Sequence, residues 1–564
     1  MRASATITRR DAALVAVLTL LVFSPALGNH WVEFDDLFNF GDNPHYRGLG
    51  WDKLVWMFTT AWGGHWTPIA WLTLGLDYVV WGMNPLGYHL TSVLWHAANA
   101  ALVFAVAARL LRHAWPEAGE GTLRLGAGAA ALFFALHPLR VESVAWITER
   151  RDLVSGFFYL LTVLCWLVML ERADGARRRW YGAALGAYGL ALLSKSIVIS
   201  LPLVLLVLDV YPLRRLGRRT LLEKVPFLAL ALVLAVLTAV SFRSALSPLE
   251  YYGPAARVGM VAYSLVFYAW KTVVPADLSP VYELPWRVSI LDPAFLAATL
   301  VALAAFAALI AARRWWPAGL AAAIAYALAL APVSGLVQAG PQLVADRYSY
   351  LATLGLALLI GGGLMAVMAR DAAGELRPGL ARLVVGVVGA WLVILSALTV
   401  SQVLVWHDDR SLWEHALAID PDCGRCNKGF ARYQATSGAA EARLRRILAV
   451  NARDADARTR LGALLVQQRR YVEAETELRT ALRDVPDSAD ALSYLGMALF
   501  ESGRPAEAVP VLERAVSLAP SAALPHFGLG RALQMLGRDR DVEPHLVALE
   551  QVEPRLAERL KRRW

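Results

Sequence analysis

The chain has 564 residues, 57% hydrophobic and 18% charged, with a net charge of +9, and its mean hydropathy is +0.46. So apolar a composition excludes a purely soluble protein, a coiled coil and a disordered chain. The surplus Lys and Arg fall in short runs between apolar stretches, a pattern of membrane topology rather than of nucleic-acid binding, so no nucleic-acid partner is expected. Three cysteines allow no disulfide framework. Only Cys423 and Cys426 can pair locally, and Cys165, inside an apolar run, reads as inert.

In chain order, apolar stretches at 11–28, 85–111, 125–138, 153–170, 180–194, 197–213, 225–242, 291–312, 317–336, 346–369 and 381–406 predict about eleven membrane spans. The first reads as an uncleaved anchor, with a secretory signal as the other reading, and either places Asn29 onward outside. Arg177 to Arg179, Arg214, Arg215, Arg313, Arg314 and Arg370 are expected inside. A crossing at 258–274 would put Arg313 and Arg314 outside, so that segment is read as re-entrant or interfacial. The exterior segments are then 29–84, 137–152, 194–197, 243–290, 337–346 and everything after Trp406.

From Ala455 a 34-residue period appears: Leu461-Gly462, Ala474, Leu478 and Pro486 recur as Leu495-Gly496, Ala508, Leu512 and Pro520, then Leu529-Gly530, Leu546 and Pro554. These are the packing positions of tetratricopeptide helical hairpins. The predicted architecture is therefore all-α: a polytopic body over 1–406 and an α-solenoid over 407–564, with a degenerate repeat at 421–454 and full ones at 455–488, 489–522 and 523–556. Such repeats present a surface to peptides, so docking of an acceptor protein is expected beside a plain scaffold role. Cys423 and Cys426 read as a local disulfide of an oxidising exterior.

Polar residues cluster at the exterior edges, where they are costly unless they serve a site. The first loop, 29–84, carries Asp35 and Asp36, adjacent carboxylates suited to a general base and its partner or cation holder; a solvated cap is the plain alternative. His89 and His96 share a helix face, and packing outweighs metal binding for them. His137-Pro-Leu-Arg140-Val-Glu142 leads to Glu149-Arg150-Arg151-Asp152, supplying carboxylates and phosphate-binding cations, some of them salt-bridged to one another. Lys195 and Arg347 are counter-charges for a lipid-linked phosphate whose tail lies among membrane lipids and helices. No phosphate-cradling glycine loop, metalloprotease motif or nucleophile elbow occurs.

Together FDD, NPLGYH, HPLRVESVAWITERRD, LLSKSIVISLPLVLLVLDVYPL and ADRYSYLATLG, followed by the repeats, resemble the transmembrane and tetratricopeptide-repeat-containing (TMTC) protein O-mannosyltransferases, which look like GT-C glycosyltransferases. The resemblance implies a polyprenyl-phosphate-linked sugar, most simply mannose, passed with inversion to Ser or Thr hydroxyls of a protein on the exterior face of a bacterial-type inner membrane. Asp36 is taken as the base, with Asp35 as the other choice. His137, Glu142, Glu149, Arg150 and Asp152 fall around the cleft, with Lys195 and Arg347 on the leaving phosphate and His89 as a further cleft residue. Arg151 stands where Lys is expected, and Ala352 where proline is usual. The motifs leave open the sugar and the need for a divalent cation such as magnesium or manganese. They also leave open a lipid or cell-surface glycan as acceptor, and a non-catalytic membrane scaffold.

Overall fold

The computed structural model describes residues 2–172, 175–241, 252–285, 287–337, 340–433 and 438–561; residues 243–251 and 286 of the expected exterior segment 243–290 lie outside them. The chain is almost entirely helical and divides into two compact units, Met1–His415 and Ala416–Trp564.

In the first unit α1 (Arg2–Phe23), α2 (Trp51–Thr59), α3 (Pro68–Trp81), α4 (Pro85–Ala114), α5 (Glu120–Ala135), α6 (Val141–Ala145) and α7 (Arg150–Leu170) come first. They are followed by α8 (Gly175–Ser194), α9 (Leu201–Val210), α10 (Arg218–Leu222), α11 (Val225–Ser241), α12 (Pro254–Val273) and α13 (Pro293–Ala312). The unit's remaining named helices are α14 (Pro317–Leu330), α15 (Ser349–Ala352), α16 (Leu354–Ala372) and α17 (Leu380–Val405). Proline opens α3, α4, α12, α13 and α14, where its missing N–H costs nothing. The Asn84 side chain caps α4 by accepting from the Leu86 N–H at 3.2 Å. One antiparallel pair, β1 (Tyr282–Glu283) with β2 (Gln342–Val344), joins the two loops beside the site.

Every stretch read as a span is helical, yet the count of eleven is not confirmed. Among the described residues seven helices are long and apolar enough to cross a membrane, and an eighth crossing arises if Glu120–Ala135 and Pro138–Ala145, bent by 55°, act as one span. The apolar helices Ser196–Val210 and Pro317–Val333 fall short in length, and α8 is not among the spans. Short apolar helices bury themselves against neighbours, so hydropathy counts them as spans without their having the length. The segment 258–274, read as re-entrant or interfacial and lying almost wholly in α12, is also absent from the seven.

Glycine permits a close helix approach. A Cβ on Gly361 of α16 would lie 2.3 Å from the Gly126 carbonyl oxygen of α5, the small-residue contact by which membrane helices meet.

In the second unit, pairs of 13- and 14-residue helices repeat: α18 (Ala455–Gln467) with α19 (Tyr471–Asp484), and α20 (Ala489–Glu501) with α21 (Pro505–Leu518); α22 (Ala523–Met535) follows. The Leu-Gly signature has a direct cause, because Leu478 and Leu512 occupy the places where a Cβ on Gly462 and Gly496 would sit. Leu461, Leu478, Leu495, Leu512, Leu529 and Leu546 line one continuous core. Cys423 and Cys426 form a disulfide, and Cys165 is a buried free thiol.

Substituting Ala for Gly361 forces α5 and α16 apart against backbone, a loss of about 1–3 kcal/mol. Gly363, with nothing within 4 Å of its added Cβ, is the control. Thermal unfolding in detergent is expected to fall for Gly361→Ala and to stay unchanged for Gly363→Ala.

Candidate active site

The first loop leaves α1 and is pinned at once to the chain after α17. The His30 N–H donates to the His407 carbonyl at 2.8 Å and the Glu33 N–H to Asp409 Oδ1 at 2.6 Å. Asp36 then turns inward. Its Oδ1 accepts from the Thr148 hydroxyl at 2.7 Å and the Thr148 N–H at 3.2 Å, and its Oδ2 accepts from the Val32 N–H at 3.3 Å. It is 1% exposed, and burial pushes its carboxyl up to about 7 against the pull of these hydrogen bonds. Asp35, half-buried, instead lines a cavity of about 130 Å³ together with Phe38, Asn39, Trp62, His65, Trp71, Thr148 and Arg151.

The segment after α5 breaks into short turns before α7, and each turn aims one charged group. Glu149 accepts from Arg151 at 2.7 Å and from Lys195 at 2.6 Å, and pairs with Arg347 Nε at 3.2 Å. Lys195, placed at the break between α8 and α9, also donates to Asp152 at 2.7 Å. Arg347 pairs with Glu142 through its guanidinium and its N–H, the latter at 2.8 Å, and lies over the Trp146 and Tyr348 rings. Three carboxylates thus meet three cations. Asp346 next door accepts from the Tyr282 hydroxyl at 3.0 Å; burial, reinforced by Glu142, holds its carboxyl well above the usual range.

Glu142, Glu149, Asp152, Lys195 and Arg347 are therefore gathered as the sequence reading expected. Three other residues depart from it. Arg150 points away from the cluster, pairing with Asp77 at 2.8 Å and donating to Ser92 and to the Tyr88 carbonyl of α4. One residue is about 100° of helix rotation, so Arg151 takes the cleft position instead. His137 caps its turn, its Nδ1 accepting from the Leu139 N–H at 3.2 Å and its Nε2 lying 3.0 Å from the Thr272 carbonyl, which fixes its tautomer as a structural tie. His89 is buried within α4 and joins none of the cluster's ion pairs among the described residues. His65 went unread in the sequence. The Gly63-Gly64 pair between Trp62 and His65 is the signal that could have found it, since two such glycines mark a tight reversal.

Two further hollows adjoin the cations. Asp152, Arg347, Tyr159, Ala329 and Leu351 line a narrow crevice, and Tyr159, Ala329 and Leu351 also line an apolar cavity of about 430 Å³. That cavity continues past Val204, Leu208, Leu358 and Gly362 to Tyr211, Trp315 and Trp316. Among the described residues no three His, Cys, Asp or Glu are grouped to hold a metal ion.

Against known proteins, a tetratricopeptide-repeat family model matches residues 431–489, 464–523 and 495–538. Protein O-mannosyl-transferase Tmtc1 of Drosophila melanogaster is 41% identical over 20% of this chain and 12% of its own length. Tmtc2 of the same fly is 36% identical over 26% and 15%, and TMTC2 of Homo sapiens 32% identical over 28% and 18%. In sequence the chain is TMTC-like. It spans 12% to 18% of the length of these three relatives. The C-terminal part carries tetratricopeptide repeats, and solved structures similar to the chain include the MamA protein, 20% identical over 25% of this chain and 79% of that one, with a TM-score of 0.22.

Because folding raises the Asp36 carboxyl, the folded protein holds a proton between about pH 4 and pH 7 that the unfolded chain releases, so stability falls as pH rises through that window. Asp36→Asn removes this dependence. The wild-type melting temperature relative to Asp36→Asn is expected to drop between pH 5 and pH 8; a constant difference contradicts the buried placement.

Proposed function

We propose that the chain is a membrane glycosyltransferase moving a sugar, mannose by the names of its relatives, from a polyprenyl-phosphate donor to Ser or Thr hydroxyls of proteins. The observation that carries the reading is the junction of Arg347, one of the three cations around Glu149, with an apolar cavity through the shared residues Tyr159, Ala329 and Leu351. A phosphate bound by Lys195, Arg151 and Arg347 has its lipid chain at the mouth of that cavity. Glu142, Glu149 and Asp152 hold these cations in fixed orientation.

In this reading Asp35, on the wall of the neighbouring cavity, accepts the proton of the acceptor hydroxyl. The oxygen forms its bond to the anomeric carbon from the face opposite the phosphate. The bond to the phosphate oxygen breaks, and the electron pair leaves with polyprenyl phosphate, where the three cations balance its charge. The configuration inverts. Asp36, expected as the base, is given the positioning role instead, because its hydrogen bonds tie the loop to Thr148 and Val32. A divalent cation is not assigned ligands.

The disulfide of Cys423 and Cys426 supports an oxidising exterior for the repeats, in keeping with a bacterial-type inner membrane protein whose C-terminal part faces out. Its repeats supply a protein-binding surface for the acceptor.

Asp35→Asn is expected to abolish transfer, a loss of at least 100-fold by the usual size of proton-transfer catalysis, while Asp36→Asn retains measurable turnover. Lys195→Ala is expected to raise KM for the lipid donor more than it lowers kcat. Full turnover in Asp35→Asn, measured with labelled donor and detergent-solubilised protein, would reject the base assignment.

A further inference from the structure

The segment Trp62-Gly63-Gly64-His65 is built for presentation. The His65 N–H donates to the Trp62 carbonyl at 2.9 Å and the two residues face each other as an isolated bridge. Gly63 and Gly64 have φ of 55° and 80°, the left-handed pair that a two-residue reversal requires and other residues resist. On the far side the Trp66 indole N–H donates to the Phe58 carbonyl at 2.9 Å, and Thr67 leads into α3. The turn is thus held at both ends, and it delivers two side chains, Trp62 and His65, to the cavity that Asp35 lines.

That cavity joins aromatic rings to short polar groups. Trp62 stacks on Phe38 at 5.0 Å between centroids, and Trp71 packs nearby against Trp56. The buried indole N–H groups of Trp62 and Trp71 have no hydrogen-bond partner among the described residues. Arg151 lines the cavity with His65, and burial together with the charges of Arg151, Lys195 and Arg347 holds the His65 imidazole well below its ordinary value, so it stays neutral. A neutral imidazole offers one donor and one acceptor, as a hydroxyl does. Arg151 belongs both to this cavity and to the cation cluster around Glu149.

We propose that this cavity is the subsite for the transferred pyranose, with His65 a specificity-determining residue that hydrogen-bonds a ring hydroxyl and Trp62 the surface on which the ring packs. The inference rests on the lipid-donor reading and deepens it. A sugar esterified to a phosphate at Arg151 reaches this cavity without leaving the cations. About 130 Å³ suits one ring beside Asp35 rather than a stretch of peptide, and aromatic walls with few polar groups are the usual surroundings of an amphipathic small ligand.

The test is equilibrium binding of two radiolabelled lipids, bare polyprenyl phosphate and polyprenyl-phosphate mannose, to the full chain in detergent. The wild type is expected to bind the mannosylated lipid more tightly than the bare one. His65→Ala and Trp62→Leu are each expected to remove about tenfold of that difference, the size of one neutral hydrogen bond or ring contact, with bare-lipid affinity unchanged. His65→Gln, which keeps a donor and an acceptor, is expected to restore part of it. Equal wild-type affinity for the two lipids, or a difference that survives both substitutions, overturns the subsite. Failure of the wild type to bind either lipid overturns the donor reading itself and this inference with it. Unchanged bare-lipid binding in the variants also establishes that they fold.

Discussion

Glu149 is fully buried at the entry to α7, where a carboxylate is costly unless cations meet it, and Arg151, Lys195 and Arg347 converge on it from three places in the chain. Each cation comes from the edge of a break in helical order: Arg151 from the first turn of α7, Lys195 from the gap between α8 and α9, Arg347 from the turn before α15. The broken helices are therefore what the site is made of. Membrane helices tolerate such interruptions where the freed polar groups find partners inside the protein, and Glu142, Glu149 and Asp152 are those partners.

The first loop depends on the same segment from its other side. Thr148, one residue before Glu149, donates twice to Asp36 and also accepts from Asn39 at 3.2 Å. One turn of chain thus sets both the cation cluster and the acidic loop. Asp35 and Asp36 acquire different environments for that reason, one on a cavity wall and one sealed by hydrogen bonds.

Much of this was legible in the sequence, and the failures have physical causes. Charges at membrane edges are expensive, so Glu149, Asp152, Lys195 and Arg347 stood out and do meet. The choice between Arg150 and Arg151 was not legible, because it depends on the helical phase at which α7 begins, which the turn at 147–149 sets. Neither was the division between Asp35 and Asp36, which depends on a contact 112 residues away. The repeats were the clearest feature, since Leu478 over Gly462 and Leu512 over Gly496 impose the same residue pair at the same spacing. Span number was the least legible, because apolar composition marks burial as well as membrane crossing. The short helices α9 and α14 satisfy the first without the length for the second.

In the proposed reaction lipid phosphate leaves from beside Lys195, Arg151 and Arg347 as the sugar is taken from the opposite face. The most direct measurement is the anomeric configuration of the product formed from polyprenyl-phosphate mannose by the purified full chain, followed together with release of polyprenyl phosphate. Stoichiometric release and an inverted anomer are the outcome expected of the proposed reaction. A retained configuration, or no release with mannose or any other lipid-linked sugar, would contradict it.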